Sequence, residues 1–122
     1  MPGKVFFDTN VLIYAIAEDD RRAARAEALL GEGGVVSVQA LNEVAAVARR
    51  KMRMPWSQVI AALDAIRVLC PSPVPITIST HELALKIAEK YDYGIYDALV
   101  AAAALEAGCV TLYSEDLQDG QT

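Results

Sequence analysis

The chain has 122 residues, 54% of them hydrophobic, and a formal net charge of -5. That length gives a single domain with room for a real core, and that composition excludes general disorder. No segment approaches the roughly 18 uninterrupted apolar residues of a membrane span and no basic-then-apolar leader opens the chain, so a cytoplasmic protein with no membrane partner is expected.

Lys4-Val-Phe-Phe reads as a short buried strand ending near Asp8. Val11, Leu12, Tyr14, Ala15 and Ile16 then suit a helix to Ala17, with Thr9 or Asn10 as its cap. Asp20 begins a second helix through Ala24, Ala28 and Leu29, which stops at Gly31 or at Gly33-Gly34. Val35 and Val36 make a second short strand. Gln39 to Met52 is strongly helical in propensity and ends on a cationic turn, Arg49, Arg50 and Lys51, with Arg53 just beyond. Pro55 favours a fresh start for a helix over Trp56 to Leu69. Pro71, Pro73 and Pro75 form a rigid connector that confines the strand around Ile76 to a short or edge position. Ser79 with Glu82 fits a capping box for a helix to about Tyr91. After the Gly94 break, Tyr96 to Ala107 is an Ala-rich helix closed by Gly108. Cys109 to Leu112 is a last strand, and a polar tail runs from Ser114 to Thr122. Short strands alternating with helices imply an α/β layered fold with a mainly parallel sheet.

In open parallel sheets, ligands bind beyond the carboxyl ends of the strands. Asp8 follows the first strand, Asp116 follows the last, and Asp97 opens the helix after Gly94. Glu43 instead falls within a helix, amid Leu41, Val44, Ala45, Ala46 and Val47, on a face shared with Val47 and Gln39. Each acid has an ordinary reading: a helix cap for Asp8, a first-turn acid for Asp97, a turn residue for Asp116, a solvated stripe for Glu43. Their joint placement argues otherwise. Clustered carboxylates repel and are tolerated where a divalent cation offsets the charge. Oxygen ligands without His or Cys suit Mg²⁺ or Mn²⁺, which can activate water for attack on a phosphodiester. The net negative charge argues against nucleic-acid binding by bulk electrostatics, yet an acidic cleft filled by metal attracts phosphate. His81, the single histidine, reads as a surface helix residue, and Cys70 and Cys109 as small buried hydrophobes.

These residues resemble the PIN-domain ribonucleases, and within them the VapC-type toxins of type II toxin–antitoxin pairs. FFDTNVLIYA looks like their first motif, SVQALNEVAAVARRK the second with Glu43, YGIYDALVAAAALEAGC the third with Asp97, and LYSEDLQDG the fourth with Ser114 and Asp116. The four acids follow the family's order at spacings of 35, 54 and 19 residues. The resemblance implies a PIN-like three-layer sandwich over 1–122, with a short, mainly parallel sheet flanked by helices. It implies a metal-dependent endoribonuclease, a toxin, in which Asp8, Glu43, Asp97 and Asp116 hold Mg²⁺ or Mn²⁺ and cut RNA. Thr9, Asn10 and Ser114 would support these carboxylates by hydrogen bonds. A cognate antitoxin protein and a homodimer are the implied partners. Family members usually carry a further short strand or tail after the fourth motif, so an ending at Thr122 is expected to be either a truncation or a native short form. Arg49, Arg50, Lys51 and Arg53 are read either as RNA phosphate contacts or as a solvated helix end.

Rival readings fit less well. A receiver-like phosphoacceptor domain needs an acidic pair at the first strand end and a Lys at the last, whereas Asp8 is followed by Thr9 and CVTLYSED holds no Lys. A haloacid-dehalogenase-like phosphatase needs Asp-x-Asp, and Asn10 fills the second place. A non-catalytic PIN scaffold remains the other alternative, against which the presence of all four acids counts.

Overall fold

A computed structural model describes residues 4–17, 21–109 and 111–113. The central strand β1 (Val5–Phe7) pairs in parallel with β2 (Thr111–Tyr113), setting Phe6 opposite Leu112. On the other side of β1 the sheet narrows to single parallel bridges, Phe6 with Val35 and Ser37 with Val74. Phe7 N donates to Val35 O at 2.9 Å, Val35 N to Val5 O at 2.8 Å, and Val74 N to Val36 O at 2.8 Å. Leu112, Phe6, Val35 to Ser37 and Val74 thus lie side by side in that order, all parallel.

Two stretches expected as strands are therefore reduced to bridges, for local reasons. Gly33 and Gly34 precede Val35 and a helix starts at Val38, so only a few residues can extend. Val74 is flanked by Pro73 and Pro75, which have no N–H to donate, and the third sheet segment falls there instead of around Ile76.

Successive strand residues point to opposite faces, and the core divides accordingly. Phe7 and Val36 pack with Val11 and Leu12 of α1 (Thr9–Ala17), Ala26 and Leu30 of α2 (Arg21–Gly31), Ala40 and Val44 of α3 (Val38–Arg50), and Ile66 of α4 (Trp56–Leu69). Phe6, Val35 and Val74 face the other way, against Val100, Ala103 and Ala104 of α6 (Ile95–Glu106). Beyond them, Ala98 and Ala102 of α6 meet Ala84 of α5 (Ile78–Tyr91). The result is the expected layered α/β fold, mostly helical around a short parallel sheet. Full burial of a side chain such as Phe7 or Leu12 contributes about 1.5–3 kcal/mol each.

Several local expectations shift. The buried stripe of α2 is Ala23, Ala26 and Leu30, whereas Ala24 and Ala28 are exposed, and Asp20 lies outside the described residues. The capping box of α5 is built by Thr77 and Thr80 in place of Ser79 and Glu82: Thr80 N donates to Thr77 Oγ1 at 3.2 Å and Thr77 N to Thr80 Oγ1 at 3.2 Å. Glu106, at the end of α6, then accepts the hydroxyl protons of Thr80 and Ser79. Cys70 is buried, which pushes its thiol up to about 11, while Cys109 is only half-buried. Gly34 is required by close approach, since a Cβ there would sit 2.9 Å from Val5 O and collide with the Phe7 ring. Among the described residues no helix is long and apolar enough to cross a membrane.

Candidate functional site

Asp8 is the first residue past β1, at the carboxyl end of the central strand. Its backbone carbonyl accepts from Val11 N at 3.1 Å and its Oδ1 accepts from Thr9 N at 2.6 Å. Asp8 therefore occupies the entry to α1, in place of Thr9 or Asn10. An orphan N–H of the first turn thus fixes the carboxylate.

Thr9 begins α1 and is 8% exposed. Its hydroxyl cannot reach water freely and donates instead to Glu43 Oε1 at 2.7 Å, across 34 residues of sequence. A second donor comes from within α3: Gln39 Nε2 approaches Glu43 Oε2 at 3.4 Å, one turn earlier on the same face. This helix is started by Ser37, whose Oγ accepts from Ala40 N at 3.0 Å. Ala40, Val44 and Ala48 press its buried stripe into the core. The adjacent stripe, Gln39, Glu43, Ala46 and Val47, is left facing a cavity.

Asp97 arrives from the other layer. It lies in the first turn of α6, where an acid complements the helix dipole. Gly94 at the cap offers no side chain to this turn. Asp97 is exposed, and Tyr96 beside it also borders the cavity.

The cavity holds about 340 Å³, and Asp8, Glu43 and Asp97 all line it, along with Thr9 and Asn10. Among the described residues its lining includes no Lys, Arg or His. The donor set is oxygen only, which fits a hard divalent cation and does not fit a thiolate or imidazole metal centre. Among the described residues, no group of three or more His, Cys, Asp and Glu side chains already stands as a ligand cluster. The acids share a cavity without converging on one point.

Three of the acids singled out in the sequence thus line one cavity, while Asp116 and Ser114 lie outside the described residues. His81 is exposed on α5, as expected. Gln39, Ser37 and Tyr96 were not among the candidates. Gln39 alone carried a signal, its position one turn before Glu43.

The PIN domain family matches residues 5–118 of the chain. Two solved structures share its fold. The VapC20 toxin of Mycobacterium tuberculosis, a sarcin–ricin-loop-cleaving toxin, is 20% identical with a TM-score of 0.72, over 91% of this chain and 88% of that one. A chain of a toxin–antitoxin complex from Klebsiella pneumoniae is 21% identical with a TM-score of 0.70, over 89% and 83%. No curated protein matches the chain.

Proposed function

Because the chain belongs to the PIN-domain family, we propose that it is a divalent-metal-dependent endoribonuclease and the toxin of a toxin–antitoxin pair. The observation that carries this reading is the shared cavity: Asp8, Glu43 and Asp97, from three separate parts of the chain, line one hollow beside the central strand. Asp116 is proposed as the fourth acid, on its motif alone. The likeness to a sarcin–ricin-loop-cleaving toxin and to a toxin–antitoxin complex supports RNA as the substrate and an antitoxin as the partner. A homodimer is proposed on family resemblance.

Mg²⁺ or Mn²⁺ held by Asp8, Glu43, Asp97 and Asp116 would supply Lewis-acid activation of water and charge neutralisation at the scissile phosphate. The chain's own contribution is orientation. The Thr9 hydroxyl and the Gln39 amide both donate to Glu43, one to each oxygen, which fixes its plane. Thr9 N does the same for Asp8 Oδ1. Ile13, Val47, Ile76, Leu99 and Val100 give the cavity apolar walls beside these carboxylates.

The test is cleavage of single-stranded RNA by the purified chain with Mg²⁺ or Mn²⁺, beside Asp8→Asn and Asp97→Asn. Each substitution is expected to abolish metal-dependent cutting and leave the melting temperature intact or raised. Cleavage at the parent rate by both variants would exclude this cavity as the active site.

A further inference from the structure

We propose that Arg50 is the RNA phosphate-binding residue at the rim of the cavity, a specific assignment that rests on the ribonuclease reading above. Four cations end α3 and follow it: Arg49, Arg50, Lys51 and Arg53. Charge alone does not distinguish them, but helix phase and existing partners do.

Arg49 is already engaged. Its Nη1 donates to Met54 O at 3.1 Å and its guanidinium lies 4.8 Å above the Trp56 ring. It braces the corner between α3 and α4. Arg50, by contrast, is exposed and has no hydrogen bond, ion pair or ring contact among the described residues.

Its phase is decisive. The stripe of α3 that lines the cavity runs through Gln39, Glu43, Ala46 and Val47. Arg50 stands four residues after Ala46 and three after Val47, the spacings that put helical side chains on one face. It is the next rung of that stripe. Lys51 is rotated about 100° away and Arg49 about as far the other way, at 3.6 residues per turn.

Reach points the same way. Glu43 and Arg50 are separated by about 10 Å along the axis at 1.5 Å per residue. Side chains on a helix lean toward its N-terminus, so the arginine is directed back over the turn that borders the cavity. Among the described residues, the cavity lining itself has no cation. An RNA strand entering it would therefore meet acids at the centre and a free guanidinium at the rim, matched to the phosphate next along the strand. A guanidinium holds phosphate oxygens in a fork, and such backbone contacts position the strand without reading bases.

The experiment uses labelled single-stranded oligoribonucleotides of two unrelated sequences. Binding is measured by anisotropy on the uncleaving Asp8→Asn chain across a salt series, and KM and kcat on the parent background. Arg50→Glu is expected to weaken binding and raise KM roughly tenfold, equally for both sequences, with kcat within about twofold. Arg50→Ala should lower the slope of log affinity against log salt by about 0.7, the value of one single-strand phosphate contact. Arg50→Lys should restore most of the affinity, and Arg49→Ala should leave it unchanged. Because Arg50 is exposed, each variant should keep the parent melting temperature. If Arg50→Glu binds with parent affinity and salt slope while the parent cuts RNA, the assignment is overturned and the nuclease reading stands. If the parent neither binds nor cuts RNA, both are overturned.

Discussion

The hydroxyl of Thr9 is spent on one acceptor, Glu43 Oε1, in a position nearly closed to water. Thr9→Val keeps the shape and removes the donor, so Glu43 loses orientation while the packing persists. Activity is expected to fall about 10- to 100-fold, as for other partners of metal-binding carboxylates. Thr9→Ser should keep most of it. Full activity in Thr9→Val would show that the bond orients nothing that matters. At this scale three of the acids that line the cavity were legible. Asp8, Glu43 and Asp97 each interrupt apolar or small-residue surroundings, where a charge is costly without a purpose. Gln39 showed only its spacing from Glu43, because glutamine is at ease anywhere on a helix surface. Arg50 was hidden within its cationic run until the phase of α3 separated it from Arg49 and Lys51.

Among the elements, the hinge of the sheet is Gly34, where the chain passes against Val5 and the Phe7 ring. Gly34→Ala forces an added methyl into that approach and is expected to destabilise the fold by about 1–3 kcal/mol. The measurement is the urea midpoint at unchanged slope, with Gly31→Ala as a control, since a Cβ at Gly31 meets nothing. Equal midpoints for the two variants would contradict the close approach. The helices and their order were readable from caps, glycines and apolar spacing. Strand lengths were not, because they depend on where glycine, proline and the next helix start cut each extension short. The capping box of α5 was misplaced for a different reason. Two overlapping patterns fit the local sequence, and the one that forms is Thr77 with Thr80, whose hydroxyl is also held by Glu106, distant in the chain.

For the whole molecule, acids delivered by β1, α3 and α6 are brought together across both helical layers, so folding itself gathers like charges. Adding Mn²⁺ or Mg²⁺ is therefore expected to raise the melting temperature by about 10 °C, following about 2.7 kcal/mol at a hundredfold excess over the dissociation constant. Asp8→Asn should blunt that shift. No shift with either ion would remove the metal from the proposal. The layered arrangement was foreseeable from alternating elements, whereas the narrowing of the sheet to bridges on one side of β1 was not. Ala98 and Ala102 are the contacts of α6 with α5, Ala103 and Ala104 its contacts with the sheet, and all are buried. Methyl groups thus set how deeply the helix that carries Asp97 is seated. Mutational tolerance should consequently be low even at residues with no reactive group at all, and a catalogue of inactivating substitutions would draw a stripe of alanines leading to the acid.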